Sequence, residues 1–265
     1  MDCAKAICCF AGWEMPLIAI PTTSGSGSEV TDFAILTHNG VKHPLVDPQM
    51  CPKMAILEGE LLNEMPPQLI ADSGFDILAH ALEAWVGKNA SAFTDALALD
   101  ASRTVFTLLD ASFNGEKQVR LELHTAAAMA GLAFNQAGLG LCHALSHALG
   151  GQFHIPHGRI NAILLPAVIL VNNCPKYAEL SRRLGLGGSS DTMAVRNLKN
   201  ALCRLRNALK LPSTLSQAGV DIALLQAKTE QIIAAALADP CCSTNPVPVT
   251  EEMVRKVLQE VAGRG

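Results

Sequence analysis

The chain changes character after Pro66 and Pro67, and this change constrains its fold more than any other sequence feature. Short apolar runs separated by turn residues come first and predict strands. These runs are 16–20, 33–36, 42–46 and 54–57. Long segments with helical spacing of apolar residues follow. We therefore predict an α/β segment over residues 1–66 and an all-α domain over residues 67–265.

The helical part is predicted in detail from its periodicity and from the glycines at which helices end. The predicted helices are 68–86, 92–109, 117–134, 141–150, 158–172, 176–184, 192–209, 221–237 and 250–261, and a short helix at 2–10 precedes the first strand. A lone sheet of three or four short strands would leave edges and faces uncovered, so we expect that part of the α/β domain is missing from this chain.

Composition narrows the range of partners. With 265 residues and 49% hydrophobic content, the chain can bury a large core. A net charge of −4 and only 4% aromatic residues argue against nucleic-acid binding. The longest apolar run, 160–171, is shorter than the roughly 20 residues that a bilayer span needs. We expect a soluble cytoplasmic protein without a membrane partner, whose nine cysteines are reduced thiols.

Five residues of metal-ligand type stand out. Asp76 and His80 are four positions apart, as are His143 and His147, so each pair projects from one face of a helix. His157 follows shortly after the second pair. Imidazole and carboxylate ligands suit Fe(II) or Zn(II) better than Mg²⁺ or Ca²⁺. Five candidates compete for four places, and spacing does not decide which one is left over.

Such pairs also have an ordinary explanation. An Asp-x-x-x-His pair on a helix is more often a surface ion pair than a metal site. The apolar residues around both pairs favour burial, however, and buried ionisable groups need compensating partners. The presence of two such pairs is what supports a metal-site hypothesis.

A second candidate site is the loop Thr22-Thr-Ser-Gly-Ser-Gly-Ser28, which follows a predicted strand. Its hydroxyls and unhindered backbone amides suit phosphate oxygens, and Lys42 could add a positive charge. The alternative is a solvated turn, which is the commoner role of Ser/Gly loops.

Three motifs carry a family resemblance. They are Pro21-Thr-Thr-Ser-Gly-Ser-Gly-Ser-Glu-Val-Thr31, Gly74-Phe-Asp-Ile-Leu-Ala-His-Ala-Leu-Glu-Ala84, and the segment from Gly138-Leu-Gly-Leu-Cys-His143 to Pro156-His-Gly158. Together they resemble iron-containing (group III) alcohol dehydrogenases, with special similarity to those of propanediol and ethanolamine utilisation. The resemblance implies a dehydroquinate synthase-like, iron-type alcohol dehydrogenase fold, here an α/β remnant of a dinucleotide-binding domain followed by an all-helical metal-binding domain.

The resemblance also implies roles for individual residues. Its metal ligands correspond to Asp76, His80, His143 and His157, which leaves His147 as a catalytic residue beside the metal and the nicotinamide. Its dinucleotide contacts correspond to Thr22, Thr23, Thr31, Lys42 and Leu61. Residues 1–7 resemble the helix after the family's Gly-rich pyrophosphate loop, so we expect the loop and everything before it to be absent.

The implied activity is a metal-dependent, NAD(P)-linked oxidation of short aliphatic alcohols such as 1-propanol or ethanol, or the reverse reduction of aldehydes. The implied cofactors are Fe(II), with Zn(II) as the alternative, and NAD(H) or NADP(H). We expect a homo-oligomer, with a bacterial microcompartment as the alternative location to the open cytoplasm. Two alternatives remain: a truncated, catalytically impaired metal-binding fragment, and a zinc-dependent relative of glycerol dehydrogenase.

Overall fold

A computed structural model of the chain describes residues 1–10, 16–38 and 41–263. The N-terminal part contains helix α1 (Asp2–Phe10) and strands β1 (Ile18–Ala19), β2 (Phe33–His38), β3 (Val41–Val46) and β4 (Met54–Ala55). Single turns of 3-10 helix cover Ser28–Val30, Pro48–Met50 and Gly59–Leu62. Every predicted strand is present, although β1 and β4 are shorter than their apolar runs.

The four strands lie in two separate two-stranded sheets. β1 and β4 form a two-stranded parallel sheet, and β2 and β3 form a separate antiparallel hairpin in which Phe33 lies opposite Val46. The apolar pattern predicts strands but not their partners, because pairing depends on contacts distant in sequence. The four strands therefore stabilise each other only in pairs.

From Pro67 onward the structure is helical. The helices are α2 (Pro67–Val86), α3 (Ala92–Phe113), α4 (Arg120–Ala137), α5 (Leu141–Phe153), α6 (His157–Asn172), α7 (Pro175–Arg183), α8 (Asp191–Ala208), α9 (Ile222–Ala227), α10 (Thr229–Ala238) and α11 (Glu251–Ala262). None of the helices in the described ranges is long and apolar enough to cross a membrane. The boundary between domains at residue 66 stays a prediction.

Helix α2 is the centre of the helical part. It starts at Pro67, where a proline costs no helical hydrogen bond, and ends before Gly87. All residues of 70–86 are buried, and the helix packs against α3, α4 and α6. Burial of each large apolar side chain, such as Phe75 or Leu82, contributes about 1.5–3 kcal/mol. A helix covered on all sides is a rigid support for side chains that need fixed positions.

One predicted helix is divided. The segment 221–237 was predicted as continuous, but Lys228 leaves the helical conformation with φ −97° and ψ 0° and separates α9 from α10. Its ammonium group donates a hydrogen bond to Gln152 Oε1 at 2.7 Å. This tertiary contact draws the residue toward α5, which a periodicity argument cannot detect.

Candidate metal centre

Three helices bring the five predicted ligand-type residues together. Asp76 and His80 lie one turn apart on α2, and His143 and His147 lie one turn apart on α5. His157 is the first residue of α6. Because α6 packs against both α2 and α5, the three helices converge around one small space. The helical spacing predicted from the sequence is therefore present in the structure.

The five side chains line one cavity of about 70 Å³. The ligand atoms of Asp76, His80 and His143 lie within 4.8 Å of one another. His157 Nε2 lies 3.5 Å from Asp76 Oδ1, and His143 Nε2 lies 3.9 Å from the same oxygen. His147 joins the group through its ring, which stacks on that of His157 with centroids 5.4 Å apart.

The nitrogen atoms of this cavity fit a cation. In the described part of the chain, Nδ1 of His80 and Nε2 of both His143 and His147 are buried without a hydrogen-bond partner. Burial lowers the pKa of His80 and lowers that of His143 well below its usual value, so both imidazoles are neutral. Neutral imidazole is the form that binds a metal. Without a bound cation, buried ring nitrogens that lack hydrogen-bond partners destabilise the folded protein. The donor set suits Fe(II) or Zn(II).

His143 is held by a buried carboxylate, Glu83 of α2. Glu83 Oε2 lies 2.6 Å from His143 Nδ1. The same carboxylate accepts hydrogen bonds from the backbone N–H groups of Gly140 at 2.9 Å and Cys142 at 2.7 Å, at the start of α5. Burial raises the pKa of Glu83 to about 7, and the backbone N–H groups act in the opposite direction. Glu83 therefore caps the helix that carries His143 and also fixes the ring.

His147 has its own carboxylate partner. Asp239, at the end of α10, places Oδ2 at 2.8 Å from His147 Nδ1, and its Oδ1 accepts a hydrogen bond from the backbone N–H of Cys241 at 2.9 Å. Burial alone would raise the pKa of Asp239, but these hydrogen bonds from His147 and Cys241 bring it below its usual value. The carboxylate is thus ionised and able to accept a hydrogen bond from the Nδ1–H of His147.

Two further polar contacts orient the remaining ligand-type residues. Asn161 Nδ2 donates to Asp76 Oδ1 at 2.8 Å, and Ser146 Oγ lies 2.9 Å from His157 Nδ1. With Nδ1 engaged by Ser146, the ring of His157 directs Nε2 toward Asp76. Hydrogen-bond partners of this kind fix the orientation of side chains that bind a metal.

The N-terminal part supplies the opposite wall of the cavity. Ser26, Ser28, Thr31 and Phe33 line it together with the histidines. The loop approaches α4 closely at Gly27, which has φ +60° and whose Cβ would lie 2.7 Å from the Cα of Gly131 if it had one. Glycine is therefore required there by both conformation and space.

A buried lysine fixes this wall to helix α1. Lys5 Nζ donates to the carbonyl oxygens of Thr31 at 2.6 Å and Phe33 at 2.8 Å, and lies 3.3 Å from Ser28 Oγ. Burial lowers the pKa of Lys5. Three oxygen partners compensate for the desolvation of the ammonium group, so α1 and the loop form one unit.

The predicted dinucleotide contacts are more scattered. Thr31 is buried in the wall of the metal cavity, whereas Thr22 and Thr23 are exposed on the loop and Leu61 is exposed in a 3-10 turn. The backbone of Lys42 pairs with Thr37 in the hairpin, but its side chain lies outside the part of the chain that the structure describes. The roles of these five residues stay predictions.

Glu83 and Asp239 were not among the site residues predicted from the sequence. Glu83 could have been found, because it lies seven positions after Asp76 and three after His80, on the same helix face. Asp239 had no local signal, because 92 positions separate it from His147. Only the packing of α10 against α5 brings the pair together.

Comparison with known proteins identifies relatives of the chain. Residues 70–262 match the C-terminal model of the Fe-containing alcohol dehydrogenase family, and residues 1–59 match the iron-containing alcohol dehydrogenase model. The 1-propanol dehydrogenase of Salmonella typhimurium is 41% identical over 98% of this chain and 75% of its own length. The NADPH-dependent butanol dehydrogenase of Clostridium saccharobutylicum is 37% identical over 91% of this chain and 64% of its own.

Solved structures of related proteins have a similar fold. The iron-containing alcohol dehydrogenase of Thermococcus thioreducens has a TM-score of 0.86 at 37% identity, and the match covers 93% of this chain and 64% of that one. The sulfoacetaldehyde reductase of Bifidobacterium kashiwanohense, solved with NAD⁺, has a TM-score of 0.84 at 26% identity. The chain thus spans about two thirds of the length of these structures. These matches confirm both the resemblance and the predicted fold, and the chain belongs to the Fe-containing alcohol dehydrogenase family, a family of oxidoreductases.

Proposed function

We propose that the chain is a metal-dependent, NAD(P)-linked dehydrogenase that interconverts short aliphatic alcohols and aldehydes. The observation that carries this proposal is the convergence of one carboxylate and four imidazoles on one cavity, where His80, His143 and His147 each have a buried ring nitrogen without a hydrogen-bond partner among the described residues. Asp76, His80, His143 and His157 would hold the cation, because His143 Nε2 and His157 Nε2 face Asp76 Oδ1 and His80 lies in the same cluster. When bound, the metal would act as a Lewis acid toward the substrate oxygen and the nicotinamide would exchange the hydride.

His147 is the residue that we assign to proton transfer. Its Nδ1 is engaged by Asp239, and its buried Nε2 has no partner among the described residues. In alcohol oxidation, Nε2 would accept the hydroxyl proton, and the adjacent carboxylate would stabilise the resulting imidazolium. In aldehyde reduction, the same nitrogen would return the proton to oxygen.

The walls of the cavity favour a small apolar substrate. Phe33, Phe134 and Leu139 line both the metal cavity and a neighbouring cavity of about 220 Å³. Short alkyl chains match such apolar walls. The relatives named as propanol and butanol dehydrogenases support the same substrate class, and the NAD⁺ complex of a more distant relative supports a nicotinamide cofactor.

The test is anaerobic oxidation of NADH and NADPH by the purified chain with propanal, with Fe(II) or Zn(II) supplied or chelated away. We expect turnover that depends on the metal. Comparing the rates with NADH and NADPH, and with Fe(II) and Zn(II), identifies the preferred nucleotide and the preferred metal. Metal binding without turnover would favour the alternative, a catalytically impaired metal-binding protein. Turnover that survives complete chelation would contradict the proposal.

We also propose that the chain forms a homo-oligomer. Several large apolar side chains are exposed on its surface, and Phe93 at the start of α3 is 85% exposed. Ile18 and Met54, which lie opposite each other in the pairing of β1 with β4, are both more than half exposed, and adjoining apolar side chains of this kind mark interaction surfaces. Sedimentation equilibrium tests this, and a monomer at micromolar concentration would contradict it. Location in the cytoplasm or in a bacterial microcompartment stays a prediction.

A further inference from the structure

Two buried carboxylates outside the predicted ligand set make the same contact with two histidines of the cavity. Glu83 approaches Nδ1 of His143 at 2.6 Å, and Asp239 approaches Nδ1 of His147 at 2.8 Å. In both histidines it is Nε2 that is buried without a partner in the described residues. The two pairs come from different elements, since Glu83 lies on α2 and Asp239 follows α10.

We propose that Glu83 and Asp239 are positioning residues that hold the proton of His143 and of His147 on Nδ1, so that both Nε2 lone pairs face the cavity. For His143 the lone pair serves a cation, and for His147 it serves proton transfer. The second role rests on the function proposed above, whereas the first requires only a metal site.

The direction of each hydrogen bond follows from the other partners of the carboxylates. Both oxygens of Glu83 accept backbone N–H bonds from Gly140 and Cys142 at the start of α5. In the same way, the second oxygen of Asp239 accepts the N–H of Cys241. A carboxyl group that already accepts a backbone N–H bond has little capacity left to donate, so the geometry points to acceptance from the histidine as well. The helix N-terminus further favours negative charge at Glu83.

The neutral imidazole has one proton, so fixing it on Nδ1 leaves the lone pair on Nε2. Without the carboxylate, the proton could move to Nε2 and block the nitrogen that faces the cavity. In Asp239→Asn, the amide oxygen can keep the N–H of Cys241 while the NH₂ group faces Nδ1 of His147 and donates instead of accepting. In Glu83→Gln, the amide oxygen can keep the N–H of Cys142 while the NH₂ group donates to Nδ1 of His143 and the bond from Gly140 is lost. Glu83→Gln and Asp239→Asn are therefore the informative variants.

The first readout is independent of activity and of metal. Long-range ¹H–¹⁵N correlation spectra of the metal-free protein, labelled with ¹⁵N-histidine and recorded above the histidine pKa range, distinguish the two tautomers. His143→Gln and His147→Gln assign the signals by their disappearance. We expect Nδ1–H in both histidines of the unmodified chain. Glu83→Gln should shift His143 alone to Nε2–H, and Asp239→Asn should shift His147 alone.

The second readout is Zn(II) affinity, measured by competition with a chelator. Glu83→Gln should weaken binding by about 10–100-fold, as expected for loss of an outer partner of a ligand. Asp239→Asn should change the affinity by less than about 3-fold, since its histidine is not a ligand in this assignment. If the chain turns over, Asp239→Asn should lower kcat by about 10²–10⁴-fold and leave the KM for propanol nearly unchanged.

A control separates ring positioning from helix capping. Asn245 Oδ1 accepts the N–H of Leu141 at 3.1 Å at the same helix start, and within the described part of the chain Asn245 forms no hydrogen bond with His143. Asn245→Ala should therefore leave the His143 tautomer unchanged, with Zn(II) affinity within about 3-fold of the unmodified chain, even if the melting temperature falls.

Two results would overturn the proposal. One is Nε2–H on His143 or His147 in the unmodified protein, which remains measurable if Glu83→Gln does not fold. The other is a Glu83→Gln variant with unaltered tautomer and affinity. An inactive chain that shows the expected tautomers and zinc affinities would reject the proposed activity while supporting the positioning role of Glu83.

Discussion

The helical part and the N-terminal part of the chain differ sharply in burial. All residues of 70–86 in α2 are buried. In and beside β1 and β4, by contrast, Ile18, Ile20, Met54 and Ile56 are exposed by 42–55%. The first region has apolar neighbours on every side, and the second has strands paired only two by two.

The functional residues follow the same division. The five residues around the metal cavity all lie on α2, α5 and α6, where packing fixes each ring and carboxylate. Of the predicted dinucleotide contacts, Thr22, Thr23 and Leu61 lie on exposed surface of the N-terminal part. From this difference we predict that metal binding depends on the helical core, whereas cofactor binding depends on the exposed loop. Substitutions should therefore separate the two functions.

The largest effect is expected from loss of a ligand. His143→Ala removes a nitrogen at the centre of the cavity and should lower the affinity for Zn(II) or Fe(II) by more than about 100-fold, beyond the effect of an outer partner. Turnover should disappear with it. The matched control is His124→Ala, which removes another buried histidine that contacts Ser24 outside the cavity. Equal loss of metal in both variants would show that the effect is general unfolding.

Next in size is a change in helix packing. A Cβ on Gly158 would lie 1.8 Å from the backbone oxygen of Asp72, so α6 could not keep its present distance from α2. We expect Gly158→Ala to lower the free energy of unfolding by about 1–3 kcal/mol and to weaken metal binding, because His157 is adjacent. Denaturant titration measures the first effect. In the control Gly185→Ala, the new Cβ meets no neighbouring atom within 4 Å. The φ of +74° strains this variant as well, but Gly185 is not adjacent to a predicted ligand, so metal binding should be unchanged.

A smaller effect, confined to the cofactor, is expected in the loop. Thr23→Val removes one hydroxyl and should raise the KM for the nicotinamide cofactor by about 2–10-fold, the equivalent of one hydrogen bond. Metal affinity should stay the same, because Thr23 is exposed and is not among the residues that line the cavity. Thr107→Val, on the surface of α3, is the control. A change in metal affinity with Thr23→Val would remove the proposed separation of the two functions.

The smallest effect is expected on the exposed strand surface. Met54 is 55% exposed, so Met54→Ala should change the free energy of unfolding by less than about 0.5 kcal/mol. Met50, in the same part of the chain, is 1% exposed, and its replacement by Ala should cost about 2–5 kcal/mol. Thermal unfolding of the two variants compares exposed and buried positions directly. Equal losses would contradict the described difference in burial.

Local sequence patterns predicted many of the helices and the five ligand-type residues of the candidate site. Helix α1 has the predicted bounds. The four-residue spacing of Asp76 with His80 and of His143 with His147 indicated the candidate site, and His157 was added because it follows the second pair. Helical periodicity carries this information because it depends on near neighbours. It also indicated the change at Pro66, where strands give way to helices.

The remaining features depend on contacts between distant segments. The division of the strands into two pairs, the break at Lys228 and the partnership of Asp239 with His147 each require the packed structure. Spacing alone also left open which of the five ligand-type residues is not a ligand. The assignment of that role to His147 rests on the family resemblance and stays a proposal.

We propose that the helical part holds one divalent cation through Asp76, His80, His143 and His157. X-ray absorption at the metal edge of the Zn(II)-loaded chain, with metal content measured on the same sample, tests this most directly. The account predicts one ion per chain with a first shell of nitrogen and oxygen ligands, imidazole scattering from three histidines, and no sulfur. A sulfur ligand from one of the nine cysteines, or less than one tightly bound ion per chain, would contradict it.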